Sequence, residues 1–591
     1  MMNKYLSISL SIILLLGIIV GTIFWIRAFN ESVKNFESPL REANLSPQPR
    51  SLPKMANVVV VLVSGLGYDD SQTLDMPVLA QLAQTGANAA IQSFPPTYSQ
   101  TSQITLVTGA PPETNSAPPN DLPLEALSLI EIDTLFAEAH QAQQKTAIFG
   151  LSDWQRLIPR NHLDETLFVS TSGPEADQAI MDVALPILKE NNIDLTFIHL
   201  TQLDFAAKHQ GGPNSNAYKS AASRIDSYLG QISNTMDLSN EVLVILSDHG
   251  YTASGGYGGD EVEVIWQPLV MIGEGIAPGS YSDIHQTDIA PTISVLLGIA
   301  PPTATQGRIL FEMLRLDEQE QTIAQLTLAR QRIALAGAYL AQINNAPITL
   351  PNFLITDLAQ AQTAFTQNNI GGALQLATLV QKEADSQIVN ARQNRVRVGQ
   401  WSRLLVVLLV ISILLSFMWR RRGEYTGSIV VATVITIGLY HILFQVQGYS
   451  YSISSLNNFA ELPFDITRRT AVSLLAGGGL ILIFLMLSNE TNWGTLLRAG
   501  YDFSVLVTFI FALPLFWAFW QNGLIFNQFL PAVKPLFWQI TGLHEVMIVA
   551  ILGLMLPWPI MFLNLIVNLA RHYLDENQSQ PEPDALPGLH L

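Results

Sequence analysis

Glu241-Val242-Leu243-Val244-Ile245-Leu246-Ser247-Asp248-His249-Gly250 is an apolar run, rich in β-branched residues, that ends in a polar turn. Such a run is the pattern of a strand buried on both faces of a parallel sheet. An Asp-His pair just past its end stands where open α/β sheets place their ligands. A carboxylate beside an imidazole is also a good donor set for a zinc-type cation. Taken alone, the same residues read equally well as a turn that uses Asp and Gly.

The surroundings extend the pattern. Similar runs occur at 58–63, 146–149, 195–200 and 269–272, with amphipathic stretches at 77–84, 127–141, 175–189 and 218–236. Strands alternating with helices predict an α/β fold over residues 57–314, with a doubly wound, mostly parallel sheet.

The whole chain is larger than this unit. It has 591 residues, of which 49% are hydrophobic and only 13% charged. That balance predicts a membrane protein carrying a soluble part. A net charge of -18 argues against a nucleic-acid partner. With no cysteine, any metal must use nitrogen and oxygen donors.

Residues 1–27 are expected to form an uncleaved membrane anchor and 28–56 a Pro-containing linker. After the α/β unit, residues 315–402 read as a helical hairpin or small bundle, with breaks expected at Pro347, Pro351 and Gly371-Gly372. Residues 403–570 read as five spans, at about 404–419, 427–446, 470–488, 503–520 and 546–569, and 571–591 as a tail. Arg420-Arg421-Arg422 follows the first of these spans, which predicts that end to be cytoplasmic. Residues 28–400 are then extracytoplasmic and both termini cytoplasmic. Arg468-Arg469 falls in a predicted outside loop, against this rule. His441 is the main ionisable group expected inside a span.

Further motifs punctuate residues 57–314. A strand runs into Ser64-Gly65-Leu66-Gly67-Tyr68-Asp69. Pro96-Thr97-Tyr98-Ser99 precedes Thr108-Gly109. Leu203-Asp204 is followed by Lys208-His209-Gln210-Gly211-Gly212-Pro213. Gly256-Tyr257-Gly258-Gly259 comes after the Asp-His pair, and Asp288-Ile289-Ala290-Pro291-Thr292 closes the series.

In order and spacing these blocks resemble the alkaline phosphatase superfamily, in particular its membrane-anchored phosphodiesterase and nucleotide-pyrophosphatase-like branch. The resemblance implies an alkaline phosphatase-like fold with two metals at the strand ends and a Ser or Thr nucleophile between them. It places Ser99 at the nucleophile, Asp248 and His249 as ligands of the nucleophile-side metal, and Asp204 as first ligand of the other. The general layout also resembles ethanolamine-phosphate transferases of lipid anchors.

Three positions depart from the family pattern. Ser64 stands where the family has a ligand Asp. Lys208 stands four residues after Asp204, where the family has a ligand His; His209 fills that role only with a one-residue insertion. Tyr257 replaces a third ligand, a His. Two adjacent divalent cations need several anionic donors to offset their repulsion. A hydroxyl, an ammonium and a phenol whose ordinary pKa is about 10 do not supply them. The expectation is a divalent metal, zinc by its donors, at one site rather than two, or none, with Lys208 paired to Asp204 in its place. His285 reads as a surface residue, and Asp288 as a helix-start signal.

Two function classes follow. One is a membrane-anchored, extracytoplasmic, metal-dependent phosphoryl hydrolase or transferase of the phosphodiesterase type, with impaired catalysis, acting on a phosphorylated small molecule or lipid-linked substrate. The other is an inactive descendant serving as an envelope ligand-binding or scaffold protein.

Overall fold

The computed structural model describes residues 4–41, 45, 52–420, 427–456, 461–526 and 529–578. Nine described strands form one sheet: β1 (Asn57–Val63), β2 (Ala87–Gln92), β3 (Thr146–Leu151), β4 (Glu165–Val169), β5 (Leu195–Leu200), β6 (Glu241–Leu246), β7 (Trp266–Gly273), β8 (Gly279–Ser280) and β9 (Ile284–His285). Their order is β4-β3-β5-β1-β6-β7-β2-β8, with β9 also against β2. The block from β4 to β6 is parallel, and β7 is antiparallel to both β6 and β2.

The central strands explain why this sheet is covered on both sides. In β1, Val59, Val61 and Val63 join a core shared with helices Pro174–Glu190 and Asn216–Thr235. Val58, Val60 and Leu62 point the other way, into a core shared with helices Ser99–Thr108 and Ile289–Leu297. Each fully buried Val or Leu contributes about 1.5–3 kcal/mol, so a continuous apolar strand is stable only between two helical layers.

Four strands lie outside the sequence expectation: the two-residue β8 and β9, and the longer β2 and β4. β2 reads Ala-Asn-Ala-Ala-Ile-Gln, which lacks β-branched character, and its ladder to β7 holds it extended. β4 is an edge strand, half-buried along its length.

The helical part departs from the predicted boundaries. Helices Glu318–Asn344 and Asn352–Thr366 pack against a third, Ile370–Arg420, which is 51 residues long and crosses residue 402 unbroken. The break expected near Gly371-Gly372 falls just before that pair, at residues 367–369, where Asn368 takes a φ of +60°, and the glycines lie in the first turn of the long helix.

Six described helices are long and apolar enough to cross a membrane, starting with Leu6–Lys34. The last expected span, 546–569, straddles two helices, Val533–Met555 and Pro557–Gln578, separated at Pro557. Arg469 is not in a loop: helix Leu462–Leu487 begins with proline at its N-terminus and carries Arg469 about 10 Å along its axis. Arg421, Arg422 and the side chain of Arg420 lie outside the described residues, as do residues 579–591.

One end of the helical bundle carries the sheet domain. Gly259 N–H donates to Ser454 Oγ at 2.9 Å, and that hydroxyl donates to Glu261 Oε2 at 2.7 Å. Gln400 and Gln521 bond at 2.9 Å, and Trp25 Nε1 donates to Leu524 O at 2.7 Å. Residues 25, 400, 454 and 524 therefore stand at the same end of the bundle.

Candidate functional site: a closed cluster at the strand ends

Ser64, Asp204, Asp248 and His249 converge where β1, β5 and β6 end. β1 pairs with both β5 and β6 in register, Val63 with Leu200 and Leu62 with Leu246, so the turns that follow emerge side by side. Ser99 opens a helix whose next nine residues, through Thr108, are buried, which fixes its hydroxyl toward the cluster.

Asp248 and His249 are fully buried. Ser64 Oγ donates to Asp248 Oδ2 at 2.6 Å, and the N–H groups of Gly65 and His249 donate to Oδ1 at 3.0 and 2.9 Å. His249 Nδ1 lies 3.2 Å from the Gly250 carbonyl, which can only accept, so this nitrogen carries the proton. Nε2 is then the acceptor for the Ser99 hydroxyl at 2.9 Å. A serine hydroxyl on an imidazole acceptor is the arrangement of a nucleophile and its base.

Asp204 is held differently. Lys208, one helical turn on, places Nζ 3.1 Å from Oδ2, and the Tyr251 hydroxyl donates to Oδ1. Burial pushes the Asp204 carboxyl up, but the Lys208 ammonium, with the Tyr251 hydroxyl, outweighs it, holding it below the ordinary aspartate range. Burial also acts against the Lys208 charge, yet Asp204 first, then Tyr257 and Asp121, hold its pKa well above the ordinary lysine value. The pair is ionised on both sides.

Tyr257 closes the cluster. Its ring stacks on His249 at 4.8 Å and 23°, lies 4.3 Å below Lys208 Nζ, and its hydroxyl donates to Asp121 Oδ2 at 2.8 Å. Burial, followed by the Asp121 charge, keeps the phenol protonated far above its usual range. Gly258 gives the loop its shape: φ is +95°, and a Cβ there would meet the Tyr98 ring at 2.5 Å.

His209 is not brought to the cluster. A helix turns 100° per residue, so the position after Lys208 faces outward; His209 is exposed and its ring packs on Phe205 at 5.0 Å. His285 sits on Phe94 at 5.6 Å, and Asp288 caps the turn at 286–288 by accepting from His285 N–H at 3.0 Å.

Sequence reasoning missed two members. Tyr251 stands two residues after His249 and gives no signal beyond that proximity. His199 interrupts the apolar run of β5 five residues before Asp204, which was the available clue. It is buried; Trp154 Nε1 donates to its Nδ1 at 3.1 Å, leaving the proton on Nε2, which has no partner among the described residues. Burial pulls its pKa down to about 4.

A sequence model described as the metalloenzyme superfamily matches residues 68–282. Over this segment, well under half of the chain, the sequence is similar to that superfamily, the one that contains alkaline phosphatase. Among curated relatives of the chain, GPI ethanolamine phosphate transferase 2, catalytic subunit, of Homo sapiens is 26% identical over 44% of this chain and 28% of its own length. GPI ethanolamine phosphate transferase 2 of Kluyveromyces lactis is 25% identical over 46% of this chain and 38% of its own. The chain thus spans well under half the length of these relatives. Among solved structures, human ectonucleotide pyrophosphatase/phosphodiesterase 5 aligns over 44% of this chain and 100% of its own, at 14% identity and a TM-score of 0.38.

The superfamily's name implies a metal, which the donor set here would have to hold. Among the described residues no group of three His, Asp or Glu side chains is arranged to hold a metal ion. Both oxygens of Asp204 and both of Asp248 already accept hydrogen bonds, and His249 Nε2 accepts from Ser99. The Lys208 ammonium adds a positive charge at the Asp204 carboxylate, where a cation would have to bind. At ion-contact distance two like charges repel by several kcal/mol even at a dielectric near 20. The cluster does not fit the superfamily's pair of metals.

Proposed function

We propose that the chain holds a phosphoester group at the strand ends, beside a membrane, through Ser99, His249 and Lys208, and does so without a pair of bound metals. The ionised Lys208–Asp204 pair supports this most: it puts one permanent positive charge where the superfamily's pattern calls for a cation. Ser99 and Lys208 are the partly exposed members of the cluster, so an incoming oxyanion meets the hydroxyl and the ammonium first. One ammonium stabilises a developing alkoxide less than two divalent ions do, so turnover of simple phosphodiesters is slow. The ligand class is a phosphorylated small molecule or a lipid-linked phosphoester; the names of the curated relatives favour the latter.

A second reading is phosphoryl transfer in the manner of those relatives. The 2.9 Å contact between Ser99 Oγ and His249 Nε2 favours it, since a serine kept on its base is ready to attack phosphorus. The two readings separate in one experiment on the full-length protein in nanodiscs. Phosphodiester turnover is followed with and without added zinc or manganese, in wild type and Ser99→Ala. Binding of inorganic phosphate with slow, metal-insensitive turnover supports the first. Brisk, metal-stimulated turnover that vanishes in Ser99→Ala overturns it in favour of the second.

The topology belongs to the same reading: residues 28–400 outside the cytoplasm and both termini inside. An even number of crossings delivers residues 25, 400, 454 and 524 to one side, as their shared end of the bundle requires, and the arginine cluster at 420–422, one crossing away, supports that side being the outer one. Protease shaving of intact cells tests it; protection of the sheet domain in a permeable envelope would reverse the orientation.

A further inference from the structure

Arg469 lies two turns inside helix Leu462–Leu487 and is only 3% exposed. A cation at that depth is expected to be paired or functional. Its Nη1 donates to Gln447 Oε1 at 2.8 Å, and its guanidinium carbon stands 5.2–5.4 Å from the ring centres of Phe444, Tyr449 and Tyr440. Its Nε is buried and has no hydrogen-bond partner among the described residues.

Two of the three nearby carboxylates accept from tyrosine hydroxyls, and Asp465 and Glu461 border the same space as Arg469. Glu545 accepts from the Tyr440 hydroxyl at 2.7 Å, and Asp465 from the Tyr449 hydroxyl at 2.7 Å. Glu461 is exposed, at the rim. Among the described residues none of the three forms an ion pair with Arg469.

The guanidinium borders a cavity of about 270 Å³ between the membrane helices and the sheet domain. Its roof is Ser254-Gly255-Gly256, the stretch that leads into Tyr257 of the strand-end cluster. The roof is close-fitting: a Cβ on Gly256 would meet the Ser454 carbonyl oxygen at 2.2 Å. The space suits a small polar group, and a planar, permanently charged guanidinium in its wall offers donors to an oxyanion of the phosphate type.

We infer that this cavity is a second anion site, which takes a phosphate group against Arg469. It is separate from the strand-end cluster, and it carries the same chemistry whether the phosphate is free or belongs to a lipid head group. The cavity's place at the domain junction makes both sources reachable.

The test is thermal unfolding of the full-length protein, with a Ser99→Ala, Lys208→Met, Asp204→Asn triple variant as background, which silences the strand-end site without leaving a buried charge unpaired. One arm adds inorganic phosphate to the detergent-solubilised protein. The other compares nanodiscs of galactolipid alone with nanodiscs containing phosphatidic acid. A rise of a few degrees is expected in one arm: the phosphate arm identifies a free anion, the phosphatidic-acid arm alone a lipid. Arg469→Gln should abolish the rise. Because that variant may not fold, Ser254→Trp, which fills the exposed rim, should also abolish it while leaving the anion-free melting temperature unchanged. No rise in either arm, or a rise that survives both Arg469→Gln and Ser254→Trp, would overturn the inference. Failure of the phosphoester reading at Ser99 would leave this result untouched, since the background variant has already removed that site.

Discussion

The two halves of the strand-end cluster each hold a buried aspartate, and they neutralise it in opposite ways. Asp248 is surrounded by neutral donors: the Ser64 hydroxyl and the N–H groups of Gly65 and His249. Asp204 is clamped by a cation, Lys208, with the Tyr251 hydroxyl on its other oxygen. The first half keeps the residue types of a metal-binding serine centre and fills the ligand gap with a small hydroxyl. The second has replaced the expected imidazole with a fixed positive charge. A buried carboxylate is thus satisfied by either route, but only the second places a charge that opposes a cation.

The comparison breaks most sharply at Lys208. Removing one partner of a buried ion pair leaves the other uncompensated, at a cost of about 3–5 kcal/mol. Lys208→Met should lower stability by that order in chemical denaturation, and the double variant with Asp204→Asn should recover most of the loss. The sign of the pH dependence follows from the pair. Asp204 has its pKa depressed, so its share of the stabilisation is present above the ordinary aspartate range and lost as pH falls through its folded value. Lys208 has its pKa raised, so its share is present below the ordinary lysine range and lost as pH climbs through the folded value. A Lys208→Met protein as stable as wild type would mean the ammonium is incidental.

His199 sharpens the comparison because it stands behind both halves. Its pKa of about 4 lies below that of a free histidine, so the unfolded chain binds the proton first as pH drops. Stability should therefore decline between pH 6.5 and 4 by up to about 3 kcal/mol, and His199→Gln should flatten that slope. An unchanged slope would place the acid sensitivity elsewhere.

A smaller effect is expected at Ser64. Ser64→Ala removes one donor from a fully buried carboxylate oxygen, which costs about 1–3 kcal/mol. Ser64→Asp sets two carboxylates against each other and should fold only when a cation is supplied. Stability rising with added zinc in Ser64→Asp but not in wild type would show that the Asp248 half still has the shape of a ligand set.

Much of this was legible in the sequence. The β-branched runs of β1, β5 and β6 announce strands buried on both faces, and the i, i+4 spacing of Asp204 and Lys208 puts both on one helix face. β2 was hidden because its alanines carry no strand preference, and only the ladder to β7 makes it extended. Tyr251 was hidden because its role depends on reaching Asp204 across 47 residues of chain. His209 looked available as a ligand until the helical turn carried it outward. Arg469 was misplaced because a charge two turns inside an apolar helix looks, in sequence, like the end of the preceding loop.

The central claim is that the Asp204 half has exchanged a metal for Lys208. Metal analysis of the full-length protein, purified without chelator from zinc-supplied cells, tests it directly alongside the variant Ser64→Asp, Lys208→His, Tyr257→His. Wild type should hold fewer than two divalent ions per chain, and the triple variant more than wild type. Two tightly bound ions per wild-type chain would contradict the account.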